Sequence, residues 1–424
     1  MKVLIISHTP VSTQNNMGKT FCAMFSSFAK EELCQLYIYP SYPDAAYCSS
    51  FYRVTDKDIL KHLKPGNEVK NEDIKSGNKL YENQDDEGVY RNIKNKNPLR
   101  RLLRDFIWTC GNWYNHKLKN WLDREKPTCI FLAPGSAKFI YRIAMKIAKA
   151  RNIPIITYVC DEYYFVKPET TLMGKLRLKL LKNTMEKTMR RTTHLIAISE
   201  EIKELYSVHF GVKSTLLMTG SQRIGVKEHR SAQPITGMSY FGNIRLNRYL
   251  SLADIGKALD RINEARGTDY KLKIYTGEKD PIFLSVFESI SSVVLNGFLS
   301  GEEFEKAMDE TQVLVHVEAF DEDSVDRVRH SISTKIADAL SGGIPLFAYG
   351  PDNVSSIRHL LRNECAVVVT SEEMLESSLL ELFGDASLGE SYVSNALKTA
   401  RQYHCAKDNS DKLYDLFNQL HFKE

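Results

Sequence analysis

Residues 330–351 read HSISTKIADALSGGIPLFAYGP. A polar loop from His330 leads into a helix whose Ile336, Ala337, Ala339 and Leu340 form the apolar, core-facing set. Gly342-Gly343 ends that helix, with Pro345 just beyond it. The run Ile344 to Ala348 is continuous enough to be a strand buried on both faces. The same alternation extends in both directions. Strand runs are expected at Met238–Phe241, Tyr270–Tyr275, Ser292–Leu295, Val313–Val317 and Ala366–Val369, with helical stretches between them. Strands separated by helices of this length build parallel βαβ units.

The first half has the same rhythm. Strands are expected at Lys2–Ser7, Cys34–Tyr39, Thr128–Leu132, Ile153–Cys160, Leu195–Ile198 and Ser214–Met218. Helices are expected over Gly18–Glu32, Lys138–Arg151 and about Thr170–Arg191. Ser199, followed by Glu200 and Glu201, caps a further helix, the acids suiting the positive end of its dipole. Residues 64–97 are strongly polar and read as a loop-rich insertion; Val226–Gly237 lacks periodicity and reads as a linker. The reading is therefore α/β with two doubly wound domains: 1–225 and 238–386, joined by the linker 226–237 and followed by a helical tail, 387–424.

Composition agrees. A chain of 424 residues with 43% apolar and 26% charged residues has enough material for two cores. Its net charge of +4 does not mark a nucleic-acid binder, and no nucleic-acid partner is expected. Eight cysteines without a CxxC pair argue against a zinc or thioredoxin-type site and fit a reducing, cytoplasmic compartment. The opening MKVLIISHTP lacks the pattern of a signal peptide, and no apolar run approaches the ~20 residues of a membrane span. Met17-Gly18-Lys19-Thr20 resembles the end of a P-loop, but the glycine that loop needs five residues earlier is Thr13. Gly18 reads better as a small residue at a helix start, where a ligand can approach the chain.

The segment at 330–351, with "TTHLIAISEEIKELY", "MSYFGNIRLNR" and "VVLNGFLSGEEF" in that order before it, resembles retaining glycosyltransferases of the GT-B fold, especially glycosyltransferase family 4. The resemblance covers nearly the whole chain. It implies two Rossmann-like domains facing across a cleft and transfer of a sugar from a nucleotide-sugar donor, UDP- or GDP-linked, with retention. The acceptor it implies is a polysaccharide or lipid-linked oligosaccharide, with no metal and no cofactor. The family's two donor-segment glutamates correspond to His330 and Asp338, a departure at the first position; Asp338 is expected at the ribose. Ser333, Thr334 and Lys335 open a helix whose N–H groups suit a diphosphate. In the loop Gly242-Asn243-Ile244-Arg245-Leu246-Asn247-Arg248 the family's first basic position is Asn243. Arg248 is the expected diphosphate cation and Arg245 its substitute. Phe298 and Leu299 are expected near the base, Glu318 and Asp321 near donor hydroxyls, and Asp161 at substrate in the first domain. Glu162, next to Asp161 on extended chain, is expected to point away from it.

Two other readings remain: a nucleotide-sugar epimerase, and a non-catalytic partner of the same fold. Two basic stretches complete the sequence. Residues 94–126 hold nine Lys/Arg against three acids, and residues 167–191 hold eight against two. The first has an apolar stripe through Leu99, Leu102, Leu103, Phe106, Ile107, Cys110 and Trp113, which Trp108 is placed to join, with Trp113 and Trp121 as expected interface anchors. Peripheral binding to an anionic membrane is expected from these stretches.

Overall fold

A computed structural model describes residues 1–13, 16–60, 66–69, 97–221 and 235–421. Most of the polar insertion and residues 226–234 of the expected linker lie outside them. The chain divides into two compact units, one of residues 1–219 with 406–424 and one of residues 220–405.

The first unit begins with β1 (Val3–Ser7), buried at every position as a central parallel strand requires. There follow α1 (Asn16–Met24), β2 (Leu33–Tyr37), β3 (Ser50–Arg53), α2 (Asp56–Leu60), β4 (Asn67–Glu68), α3 (Pro98–Cys110), α4 (His116–Glu125), β5 (Cys129–Ala133), α5 (Lys138–Arg151), β6 (Ile155–Val159), α6 (Leu172–Met189), β7 (Thr192–Ala197), α7 (Glu200–Phe210) and β8 (Ser214–Leu216). Their sheet order is β4-β3-β2-β1-β5-β6-β7-β8, parallel except for β3 against β4. Ser199 caps α7, accepting from the Ile202 N–H at 3.2 Å.

Three sequence expectations change here. The first helix stops at Met24 and not at Glu32, because Ser26 Oγ folds back onto the Ala23 carbonyl and the Ser27 N–H leaves the ladder for Ser410 Oγ. Strand β3 was not foreseen: only Phe51 and Tyr52 of its four residues are buried, too short a run to stand out. The tryptophans are not interface anchors. Trp108 and Trp121 are each 1% exposed and Trp113 is 7% exposed. Trp108 stacks on Phe139 at 4.3 Å and donates its indole N–H to Asp56 at 2.7 Å; Trp121 donates to Ser50 Oγ at 2.7 Å. An indole whose N–H finds an internal acceptor is stable in a core.

The second unit is assembled from β9 (Gly237–Phe241), α8 (Arg248–Arg266), β10 (Lys271–Tyr275), α9 (Pro281–Leu284), β11 (Val293–Asn296), α10 (Gly301–Glu310), β12 (Leu314–Val317), α11 (Glu322–Val328), α12 (Thr334–Ser341), β13 (Leu346–Tyr349), α13 (Ser355–Arg362), β14 (Val367–Val369), α14 (Leu375–Gly384) and α15 (Ala386–Tyr403). Its parallel sheet has the order β11-β10-β9-β12-β13-β14. The chain leaves β9 in one direction and resumes at β12 on its other side, so the order reverses between β9 and β12. In open α/β sheets a ligand crevice forms at such a point, beyond the strands' carboxyl ends. The last helix, α16 (Ala406–His421), belongs to the first unit, where Phe417 meets Phe28 and Phe131 at ring separations of 5.8 and 6.4 Å. The stretch read as one tail is thus shared between the two units.

Candidate functional site

The switch point of the second sheet gathers several charged side chains. Strand β9 ends at Phe241, and Gly242 follows with φ +145°, a conformation glycine adopts freely and other residues rarely do. The loop is held open by its own polar groups. Asn243 Oδ1 accepts from the Arg245 N–H at 2.7 Å, and its carbonyl accepts from the Tyr240 hydroxyl at 2.7 Å. Leu246 and Asn247 are both left-handed, which turns the chain sharply into α8 at Arg248.

Arg248 donates from Nε and Nη2 to the same oxygen of Glu318, Oε2, at 3.0 and 2.8 Å. Glu318 follows β12 and is 2% exposed. Burial alone would raise its pKa; the His316 imidazole 3.4 Å away and the Arg248 guanidinium bring it below the ordinary value instead. Burial would lower the pKa of Arg248, and Glu318 and the Tyr240 side chain raise it further. Glu318 therefore serves as the buried counter-ion of Arg248, and Asp321 caps α11 while accepting from Asn247 Nδ2 at 2.9 Å. The geometry commits both acids to the protein itself, where the sequence had placed them near donor hydroxyls.

Lys335 comes from the first turn of α12. Its ammonium lies 3.5 Å from the Tyr240 hydroxyl, and a β-carbon placed on Gly242 would fall 1.8 Å from Nζ. The residue keeps solvent exposure, but its ammonium is tucked against the Gly242 backbone. Loss of hydration and the neighbouring Arg248 charge lower its pKa to about 8, against the pull of Glu318. Two cations from helices 87 positions apart in sequence (335 minus 248) are thus brought close enough for one charge to act on the other, Lys335 against Gly242 and Arg248 on Glu318. Ser333 occupies the cap position of α12, but its side chain makes no capping bond; its own N–H goes to Ser356 Oγ at 3.0 Å. Thr334 is exposed beside it, and His330 lies half-buried in the turn before α12.

The other expected residues sit as follows. Arg245 is 60% exposed at its side chain and pairs with Glu278 at 2.5 Å, holding that carboxyl down at about 2. Asp338, exposed on α12, accepts from Ser221 Oγ at 2.7 Å. Phe298 is 74% exposed just past β11, with Leu299 half-buried behind it. Gly18 and Asp161 belong to the first unit. Gly18 has an internal reason to be glycine: a β-carbon there would lie 2.3 Å from the Ser12 carbonyl oxygen. Asp161 is exposed past β6 and accepts from the Tyr163 hydroxyl at 3.2 Å. Its neighbour Glu162 turns inward, accepting from the Phe165 N–H at 2.7 Å and the Tyr206 hydroxyl at 3.2 Å. Tyr240 and His316 gave no sequence signal, because each sits inside a strand's apolar run. Among the described residues no group of His, Cys, Asp and Glu has the arrangement of a metal site.

Gly242→Ala tests how tightly this arrangement is drawn. Strained backbone costs about 1–3 kcal/mol, and here the added methyl must also evict the Lys335 ammonium. Gly267→Ala, also left-handed but facing open space, meets only the backbone cost. In urea denaturation Gly242→Ala is expected to be the more destabilised of the two; the reverse order would mean that Lys335 is not packed on Gly242.

No family model matches the chain, and no curated protein matches its sequence. Solved structures do match its fold over its full length. Sucrose-phosphate synthase from Thermosynechococcus elongatus superposes with a TM-score of 0.63 at 11% identity, covering 100% of both chains. HepE from Anabaena, in complex with UDP, gives 0.62 at 10% identity, covering 99% of this chain and 100% of that one. WaaG, a glycosyltransferase involved in lipopolysaccharide biosynthesis, gives 0.56 at 12% identity, covering 97% and 99%. These likenesses, with the two parallel-dominated sheets, establish the GT-B fold.

Proposed function

We propose that this chain transfers a sugar from a nucleotide-sugar donor to a glycan or lipid-linked oligosaccharide, with retention at the anomeric carbon. The observation that carries the reading is the pair of cations at the switch point of the second sheet, Lys335 seated on Gly242 and Arg248 on Glu318. Lys335 supplies the charge that Asn243 does not. The pair, with the uncapped start of α12, suits a diphosphate: its negative charge grows as the bond to the anomeric carbon breaks, and cations already in place stabilise that charge without rearranging. The acceptor oxygen bonds to the anomeric carbon as the diphosphate oxygen leaves, and the acceptor proton passes to that departing oxygen. No carboxylate base is required, which suits a site whose Glu318 is committed to Arg248. Complexes of the neighbour HepE with UDP and with UDP-glucose support a uridine nucleotide as first choice, with GDP the other candidate. In this scheme Asp338 takes the ribose, Phe298 and Leu299 lie by the base, and Asp161 positions substrate. In this reading the protein works at the cytoplasmic side of a membrane that carries the acceptor, in surface-polysaccharide assembly.

Calorimetry with UDP, GDP and ADP tests this directly. One of the first two is expected to bind, and Asp338→Ala is expected to weaken that binding without lowering the melting temperature; unchanged affinity removes the ribose assignment. Absence of binding by every nucleotide overturns the donor site and favours a non-catalytic role. Conversion of a nucleotide sugar to its epimer with no acceptor present would make the protein an isomerase.

A further inference from the structure

Lys138 opens α5, just after the loop that leaves β5, and is 9% exposed. Arg177, in the second turn of α6, is covered to the same 9%. Lysine and arginine are seldom covered so far unless an acid pairs with them. Among the described residues neither makes a hydrogen bond or an ion pair, and the nitrogens of both still reach solvent. Helices α3, α5 and α6 pack on one another, which brings the two cations together. Asp105 of α3, 7% exposed, feels both charges and the Phe139 N–H in the first turn of α5, so these groups surround one helix start.

The charges there do not cancel. Arg101, one turn before Asp105, acts on Arg177, and Arg142, one turn after Lys138, acts on Lys138. The acids acting on these cations are Asp105 and Glu169, so four positive groups face two negative ones. Asp105 compensates poorly, because burial pushes its carboxyl up, ahead of the opposing pull of Lys138, Arg177 and Arg104. Arg104 gives its own charge to Asp56 through two bonds of 2.8 Å. The start of α5 adds further positive potential. Its cap residue is Ala137, whose side chain accepts nothing from the first N–H groups. The turn is also held in place: Phe139 stacks on Trp108 at 4.3 Å, with the Arg104 guanidinium 4.8 Å from its ring.

We propose that Lys138, Arg177 and Arg101, around the start of α5, bind the phosphate of a small, water-soluble phosphomonoester. That group carries about −1.5 to −2 at neutral pH, which matches a surplus of two cations; a carboxylate supplies about one. Its free oxygens suit an ammonium, the fork of a guanidinium and the N–H groups of a helix start together. With Lys138 and Arg177 nine-tenths covered, a free molecule reaches them more deeply than a phosphate fixed in a headgroup plane. All of these residues lie in the first unit, so the inference goes beyond the transfer reading and does not depend on it.

The test is calorimetry of the whole chain with inorganic phosphate, at an ionic strength held constant with chloride. Lys335→Met serves as the background, so that phosphate at the cations of the second unit is not counted. Saturable binding of one phosphate per chain is expected on that background. Adding Arg177→Met or Lys138→Met is expected to weaken it about tenfold to a hundredfold, the loss of one bond to a charged group. Phosphate should also raise the melting temperature of the background and not that of the double variants, as a ligand of the folded state does. In chloride alone the double variants should melt no lower than the background, because each removes a covered charge crowded by a like one. A variant that loses the same stability in chloride and in phosphate would mark a structural cation and overturn the site. So would absence of saturable binding, unchanged affinity in the variants, or acetate competing as well as phosphate. Displacement of phosphate by vesicles of phosphatidic acid would overturn the assignment to a soluble molecule. Nucleotide binding is read separately, so failure of either reading leaves the other standing.

Discussion

Arg248→Ala is expected to cut turnover about a hundred- to a thousandfold, the loss typical when one preorganised donor to a developing negative charge is removed. The effect should fall on turnover more than on donor affinity, because the diphosphate gains charge only as the glycosidic bond breaks. The single substitution also has a structural cost. It leaves the Glu318 carboxylate, 2% exposed, with only the His316 imidazole 3.4 Å away. Removing one partner of a buried ion pair costs about 3–5 kcal/mol, so the variant will be less stable as well as less active. Arg248→Ala combined with Glu318→Gln removes the stranded charge and separates the two effects. Stability measured in urea is expected to return while turnover stays low. If turnover returns too, Arg248 acts only by holding the fold. If Arg245→Ala gives the larger loss of turnover, the exposed Arg245, paired with Glu278, is the working cation.

Lys335→Met is expected to weaken nucleoside diphosphate binding about tenfold to a hundredfold at neutral pH, since hydrogen bonds to charged groups contribute about 1.5–3 kcal/mol. Its clearer mark is in the pH profile. With a pKa of about 8, the lysine is charged at neutral pH and loses its proton on the way to pH 9. The terminal phosphate of a nucleoside diphosphate is already ionised above ~6, by analogy with phosphorylated side chains, so the ligand does not titrate in this window. Affinity for the native protein should therefore fall as pH rises through about 8, and the fall should be absent in Lys335→Met. Calorimetry across pH 7–10 reads both. Stability of the free protein moves the opposite way. Because the folded-state pKa is depressed, the unfolded chain binds more protons between about 8 and the ordinary lysine value, and the folded state gains stability as pH rises through that interval. An affinity profile that keeps its slope in Lys335→Met would remove this lysine from the site.

The two sets of residues read from the sequence differ in what they needed to be seen. Residues 330–351 carried their own structure, because a glycine pair, a proline and a continuous apolar run act on the local backbone. The strand and helix alternation was legible for the same reason, and with it the doubly wound class. The helix start at Thr334 and the loop after Gly242 were legible too, since capping positions and glycines are local features. Short β3 and the early end of α1 were not, because two buried residues and two serine hydrogen bonds leave almost no periodic signal.

What the sequence by itself determined is thus the set of local elements, their order and the candidate cations at their ends. Strand order did not follow from it: that β9 lies beside β12, so that the loops after both converge, is a matter of packing between segments some 75 positions apart (314 minus 239). The same holds for the ion pair of Arg248 with Glu318, the seating of Lys335 on Gly242, and the burial of Trp108 against Phe139 while Leu103 stays outside. Periodicity shows that a helix has an apolar face, but not what covers it. A charge in a sequence has no dielectric and no partner until folding supplies both, and those decide which cation is neutralised, as Arg245 is by Glu278, and which apolar side chains stay exposed.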